Sequence, residues 1–260
     1  QSALGRGLVF RERRRRGAPV LLALVILALI GMAVVFWQIG TIQPMVLAAF
    51  GIAHTPTPTI MEAARQGDLA FWRGNLNAAI EHYTHAARLA PTNVDIVYEL
   101  ARMHIYRSFD DERNLPDREA ALAYANQLVE ANPRSGRAFA IQCYALVRLA
   151  RSEEAAQTCN RAIAITPEDP NPHAYLALAY YDLARFDVAF EAAHRALQLD
   201  PNHLEGNTAY AFLLAAARRS DQALDHFKRA AAYNTRLEFP YFNLAAQAIA
   251  KGLQLVDNSQ

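Results

Sequence analysis

The stretch ALQLDPN (residues 196–202) carries a helical pattern directly into a proline, and this ending decides the fold. It recurs as ARLAPTN, LVEANPR and AIAITPE at residues 87–93, 128–134 and 162–168. Pro133, Pro167 and Pro201 are spaced by 34 residues, and Pro91 precedes Pro133 by 42. Because proline cannot continue a helix interior, each of these prolines marks the end of one repeating helical unit.

Two series of small residues keep the same period. One series is Gly67, Ala101, Cys143, Ala177 and Ala211, and the other is Ala79, Ala121, Ala155, Ala189 and Ala223. Each series has one step of 42 residues and three of 34. Comparison of the two series places an eight-residue insertion between Ala101 and Ala121, in RSFDDERNLPDRE (residues 107–119). A fixed period of this length indicates an array of structural repeats.

Each unit is predicted to be a pair of helices. In HAYLALAYYDLARFDVAFEAAHRAL (residues 173–197) the apolar residues recur at helical spacing, and the small residues Ala177 and Ala189 allow two antiparallel helices to approach closely. Local helix starts agree with this. Thr59 and Glu62 are spaced as a capping box, and Pro170 suits the first turn of a helix.

The unit resembles the tetratricopeptide repeat (TPR). Residues 170–203 carry the residues that such repeats favour at seven places, Leu176, Ala177, Tyr180, Phe186, Ala189, Ala196 and Pro201. The resemblance implies an all-α TPR superhelix over residues 60–260, with repeats at 60–93, 94–135, 136–169, 170–203 and 204–237 and a capping helix at 238–254. The chain departs from the pattern in its insertion, in Thr235 where the last proline is expected, and in lacking a tryptophan near each repeat's start.

The resemblance also implies a concave groove formed mostly by the first helix of each repeat. Its residues here would be Asp68, Trp72, Tyr98, Arg102, Tyr106, Tyr144, Arg148, Tyr175, Tyr181 and Phe212. Aromatic and arginine side chains dominate interface hot spots, which favours a protein or peptide partner. The alternative is that several of these rings seal one repeat against the next. The lysine–asparagine clamp by which some relatives bind C-terminal carboxylates is not expected, because Ala64, Asp68, Glu99, Arg137 and Ile141 occupy the corresponding places.

Residues 18–40 are predicted to form a transmembrane helix. They contain no charged side chain, and 23 residues at about 1.5 Å each exceed a hydrocarbon core of about 30 Å. A cleaved signal peptide is the alternative, but its apolar core would be about 7–15 residues long. The tail, residues 1–17, has six arginines and one glutamate, and no Lys or Arg follows the span before Arg65. The positive-inside rule therefore places the tail in the cytoplasm and everything after Gly40 outside.

Residues 41–59 connect the span to the repeats. The apolar part is too short to cross a bilayer and is expected to lie on the membrane surface or dock on a neighbouring membrane protein, rather than form a buried loop. HTPTPT (residues 54–59) then favours a semi-rigid polyproline stalk. The residues predicted to contact the membrane or a docking partner are Phe36, Trp37, Met45, Leu47, Phe50 and Ile52.

Cys143 and Cys159 fall on the two helices of the third repeat. Outside the cytoplasm they could form a disulfide, and closing a loop of about 15 residues would add roughly 3 kcal/mol of stability. The alternative is two buried free thiols that act as small apolar groups.

Nothing in the sequence indicates catalysis. It contains no H-E-x-x-H, P-loop, G-x-G-x-x-G or G-x-S-x-G motif, so no catalytic residues, cofactor or metal are expected. Residues 60–260 carry 20 basic and 24 acidic residues, which argues against nucleic acid as a partner.

These features predict a single-pass protein of a bacterial inner membrane with an extracytoplasmic TPR domain. The expected function is non-catalytic protein–protein interaction, as an accessory or scaffold subunit of a larger membrane complex. The alternative is a periplasmic adaptor or chaperone that binds client peptides transiently in the groove.

Overall fold

The structure, a computed structural model, describes residues 26–28, 59–109 and 114–257, with side chains as far as residue 251. The chain divides into two units, Gln1–Thr57 and Pro58–Gln260. Residues 26–28 of the first unit are helical. The predicted basic tail, the rest of the predicted span and the connector up to residue 58 lie outside the described residues, as do Phe36, Trp37, Met45, Leu47, Phe50 and Ile52. Across the part of the chain that is described, no helix combines the length and apolar character needed to cross a bilayer.

The second unit is all-helical over its described residues, which confirms the predicted TPR-like superhelix. Its eleven helices are α1 (Ile60–Trp72), α2 (Leu76–Leu89), α3 (Val94–Arg107), α4 (Leu115–Ala131), α5 (Gly136–Arg148), α6 (Ser152–Ile165), α7 (Pro170–Asp182), α8 (Phe186–Leu199), α9 (Leu204–Ala216), α10 (Ser220–Tyr233) and α11 (Phe239–Asp257). Helices α1 to α10 form five consecutive hairpins, and α11 packs against α10 after the last of them.

The first helix of each hairpin begins where the sequence places a repeat start, at Ile60, Val94, Gly136, Pro170 and Leu204. These first helices also pack on one another, α3 on α5, α5 on α7 and α7 on α9. Because an isolated hairpin cannot bury its own apolar face, each pair completes its core with its neighbours.

Both periodic series of small residues are buried at these helix contacts. Ala79, Ala101, Ala177, Ala189 and Ala211 are all 0% exposed, so no larger side chain would fit without moving a helix. The first repeat has a glycine at its place in the series, Gly67. A Cβ there would meet the buried ring of Tyr83 at 2.7 Å.

Local capping explains most of the first-helix starts. Thr59 Oγ1 accepts a hydrogen bond from the Glu62 N–H at 3.2 Å, and Pro170 lies in the first turn of α7. The Thr59–Glu62 capping box forms on one side only, because the Glu62 carboxylate instead accepts hydrogen bonds from Arg65 and Gln66. The turns inside four hairpins share a left-handed residue, Gly74, Ala150, Ala184 or Arg218.

A disulfide joins Cys143 on α5 to Cys159 on α6. The two Cα atoms are 5.3 Å apart, and both residues are completely buried between the helices of the third hairpin. This arrangement corresponds to the disulfide alternative considered from the sequence.

The insertion between α3 and α4 is braced by a buried carboxylate. Asp117, 4% exposed, accepts hydrogen bonds from Arg107 at 2.6 and 2.7 Å, from Asn114 at 2.7 Å, and pairs with His104 at 2.6 Å. Burial alone would raise the pKa of Asp117, but these donors more than offset it and lower the pKa to about 2. The carboxylate thus holds the start of α4 to the end of α3.

The hydrogen bonds to the Asp117 carboxylate predict a loss of stability at acidic pH. The folded-state pKa of Asp117 lies below its ordinary value, so its contribution is complete above about pH 4 and disappears as the pH falls towards 2. Between about pH 4 and pH 2, the unfolding free energy of the wild type should fall by about 2 kcal/mol more than that of Asp117→Asn. Denaturant unfolding at a series of pH values measures this. The exposed Asp187→Asn should keep the wild-type dependence, and an unchanged slope in Asp117→Asn would contradict the assignment.

Candidate functional site

The concave face formed by the first helices is largely sealed. Tyr98, Tyr106, Tyr144 and Tyr175, four of the residues predicted to line an open groove, are at most 2% exposed. Tyr144 stacks on Tyr175 with ring centroids 4.2 Å apart and planes 7° from parallel. Their rings fill the space between first helices, which corresponds to the alternative that these rings seal one repeat against the next.

Buried hydroxyls need partners, and on this face they find them in one another and in Asn171. The hydroxyls of Tyr98 and Tyr175 are 2.9 Å apart, and both contact Asn171 Oδ1, at 3.1 and 3.2 Å. His203 Nε2 lies 3.2 Å from the same oxygen. Burial raises the pKa of Tyr98 and Tyr175, so they remain protonated donors at neutral pH. The second, fourth and fifth hairpins are therefore joined by one polar cluster.

A second polar link runs between the second and fifth hairpins. The Tyr106 hydroxyl donates to Glu205 Oε1 at 2.7 Å, although the residues are 99 positions apart in sequence. Glu205 is only 5% exposed, and burial together with this negative charge raises the pKa of Tyr106. Tyr106 is thus also held as a donor, facing inward rather than towards a partner.

The end of the last hairpin also meets the first. Asn234 donates a side-chain hydrogen bond to the Phe71 carbonyl at 3.0 Å, and Trp72 lies 5.7 Å from the ring of Tyr233. Nearby, Phe109 stacks on Phe239 at 4.5 Å. Repeats of an open solenoid contact only their neighbours. This array instead closes on itself within five hairpins.

The remaining predicted groove residues lie in three places. Asp68 is exposed and accepts a hydrogen bond from Tyr83, and Trp72 is half exposed at the junction of the two ends. Arg102 pairs with Glu99 at 2.5 Å, with its guanidinium 5.5 Å from the centroids of the Phe71 and Tyr106 rings. Arg148, Tyr181 and Phe212 line a cavity.

This cavity has a volume of about 370 Å³ and is open to a ligand. Its size is at the lower end of ordinary ligand sites, about 300–1,000 Å³. It is lined by Phe109, Tyr144, Val147, Arg148, Leu178, Tyr181, Asp182, Leu204, Glu205, Thr208, Phe212, Phe239, Phe242 and Asn243. Four of the ten predicted groove residues, Tyr144, Arg148, Tyr181 and Phe212, are therefore brought together.

Sequence reasoning missed Asn171, His203 and Glu205. Each lies at the start of a first helix, where Asn, His and Glu have ordinary capping or helix-dipole roles that conceal a tertiary one. His203 does cap α9, since its Nδ1 accepts the Gly206 N–H at 3.0 Å. Within the described residues, no cluster of three or more His, Cys, Asp or Glu side chains could hold a metal.

Comparison with known proteins agrees with this fold. Residues 170–203 match the family model of the tetratricopeptide repeat. A thermophilic TPR protein from Thermus thermophilus is 22% identical, with a TM-score of 0.59 over 74% of this chain and 100% of that one. The human IFIT1 dimer with m7Gppp-AAAA is 19% identical, with a TM-score of 0.56 over 69% of this chain and 44% of that one. At these identities both show the fold alone.

MamA from Desulfovibrio magneticus RS-1 is 18% identical and covers 66% of this chain and 92% of its own, but its TM-score of 0.43 is too low to support an argument. No curated protein sequence matches the chain. The matched repeat and the fold together support a TPR protein.

Because the concave face is sealed, removal of one tyrosine hydroxyl should lower the stability of the domain. Tyr106→Phe leaves the buried Glu205 carboxylate without its donor and should lower the unfolding free energy by about 1–3 kcal/mol. Chemical denaturation followed by circular dichroism measures the change. Tyr210→Phe is the matched control, since its hydroxyl has no hydrogen bond among the described residues, and should stay within about 0.5 kcal/mol of wild type. Equal stability of the two variants would mean that the link to Glu205 contributes nothing.

Proposed function

We propose that this chain is a non-catalytic, membrane-anchored TPR protein that acts as an accessory or scaffold subunit of a larger membrane protein complex. The observation that carries the proposal is the sealed concave face, where Tyr98, Tyr106, Tyr144 and Tyr175 are all buried. A receptor for extended client peptides needs an open channel along this face. A closed, internally bonded array is better suited to a permanent place in an assembly, with partners on its outer surfaces and in its cavity.

The anchor in this proposal is the apolar segment 18–40, preceded by the arginine-rich tail. The tail would stay in the cytoplasm of a bacterial cell, and the TPR domain would lie on the far side of the inner membrane. The Cys143–Cys159 disulfide is compatible with this placement, because disulfides persist in oxidising compartments such as the periplasm.

A second candidate is a periplasmic adaptor or chaperone that binds client peptides transiently. It is supported by the cavity beside Tyr181 and Phe212, which could receive one anchoring side chain of a client. An adaptor of this kind would hold its clients by a short contact rather than along a groove.

Copurification from native membranes separates the two candidates. A subunit should retain its partners at fixed stoichiometry through detergent washing, and replacing Met45, Leu47, Phe50 and Ile52 with serine should release them, since these residues are proposed to dock on the complex. Met61→Ser, at a position 76% exposed on α1, is the control and should retain the partners. Recovery of varied, substoichiometric proteins that depend on Tyr181 would instead favour the adaptor.

Topology can be tested with single cysteines, because both native cysteines are buried and bonded to each other. Met61→Cys should react with a membrane-impermeant maleimide in intact spheroplasts. Ala3→Cys, in the arginine-rich tail, should react only after lysis. The opposite pattern of labelling would show that the TPR domain faces the cytoplasm.

A further inference from the structure

The cavity lining includes a buried carboxylate that accepts only one hydrogen bond from the described residues. Glu205 is 5% exposed, and its Oε1 accepts one hydrogen bond, from Tyr106 at 2.7 Å. His203 Nε2 lies 3.8 Å from Oε2, beyond hydrogen-bond distance. A carboxylate can accept about four hydrogen bonds, and a buried one is costly unless it is paired.

His203 does not supply the missing charge. Its Nδ1 accepts the backbone N–H of Gly206 at 3.0 Å, so the ring is neutral and carries its proton on Nε2. That proton is directed to Asn171 Oδ1, 3.2 Å away. Among the described residues, Glu205 therefore accepts its hydrogen bond from a neutral hydroxyl.

The cavity lining carries two more charged residues, one of each sign. Arg148 and Asp182 carry opposite charges on the same lining. Burial raises the pKa of Asp182, while a hydrogen bond from Ser152 and, less strongly, the positive charge of Arg148 act to lower it. The guanidinium of Arg148 also lies 3.8 Å from the centre of the Phe109 ring. With Glu205, the described lining has two negative side chains and one positive side chain, so its net charge is negative.

The walls beside this charge are aromatic. Tyr181 and Phe212 lie 5.6 Å apart and line the same cavity as Tyr144, Phe239 and Glu205. The face of an aromatic ring attracts a cation, and the attraction grows when the cation is removed from water. A cavity with excess negative charge and aromatic walls is suited to a positively charged group.

We propose that this cavity binds the cationic side chain, lysine or arginine, of a segment of the partner protein, with the cation paired to Glu205 and enclosed by Tyr144, Tyr181 and Phe212. This inference rests on the proposed function and names the chemistry by which the partner is recognised. A carboxylate-bearing ligand would be repelled by Glu205 and Asp182. A purely apolar side chain would leave Glu205 buried and unpaired.

The probes for the test are N-acetyl-argininamide and its neutral isostere N-acetyl-citrullinamide. Each is titrated into the full-length protein in detergent micelles, while the methyl NMR signals of Val147, Leu178 and Leu204 in the cavity are followed. The arginine probe should shift these signals saturably, with a dissociation constant on the order of 1 mM, as for a ligand of fragment size. The citrulline probe should bind at least about 10-fold more weakly.

Two variants separate charge from fold. Glu205→Gln keeps an oxygen acceptor for Tyr106 and should weaken the arginine probe about 10-fold or more with little change in the unfolding midpoint. Glu191→Gln, exposed on α8, is the matched control and should bind as wild type does. Tyr181→Leu removes a ring without changing the charge and should weaken binding of the arginine probe about 3-fold to 10-fold. Equal binding of both probes, no saturable shift below about 10 mM, or full binding by Glu205→Gln would overturn the proposal.

Copurification then distinguishes this inference from the function on which it rests. Stoichiometric partners that are retained by wild type and Glu191→Gln but lost from Glu205→Gln support both. Partners retained equally by Glu205→Gln overturn the cationic anchor and leave the subunit function standing. If wild type itself retains no partner, the subunit function fails, and the probe titration alone decides what the cavity binds.

Discussion

The structure depends on how the tyrosine hydroxyls of the concave face are satisfied. A tyrosine ring is large enough to fill the space between first helices, but its hydroxyl enters a region without water and needs a hydrogen-bond partner there. Asn171 and Glu205 provide those partners for Tyr98, Tyr106 and Tyr175. The same tyrosine side chains therefore fill the concave side and join distant hairpins.

This arrangement changes the way the array resists unfolding. In a linear solenoid, stability is close to a sum of repeat and neighbour terms, and the ends can fray independently. Here the contact of Asn234 with the Phe71 carbonyl and the stacking of Phe109 on Phe239 tie the end of the array to its beginning. Opening of one end breaks contacts made by the other, so the hairpins should behave as a more cooperative unit than a linear array of equal length.

The repeat architecture could be predicted because its signal is local and recurrent. Small residues such as Ala101 and Ala177 are required wherever two helices approach closely, and they recur with every hairpin. The closure could not be predicted in the same way. It depends on curvature accumulated over five hairpins and brings together Tyr106 and Glu205 across 99 residues, with no periodic signature. In the sequence, Tyr144 and Tyr181 look alike as groove residues, yet Tyr144 is buried and Tyr181 is partly exposed at the cavity.

The bond between Cys143 and Cys159 lies in the middle hairpin, with two hairpins on either side. In the proposed arrangement the chain is held at one end by the bilayer and elsewhere by its partner, so movement of the complex relative to the lipid would pull on the array. Helix pairs that gave way under such tension would release their full contour length. The residues between the two cysteines cannot extend, so the stretched chain is shorter by roughly 50 Å. The third hairpin stays covalently closed. Neighbouring helix pairs can fold again on it when the tension is removed.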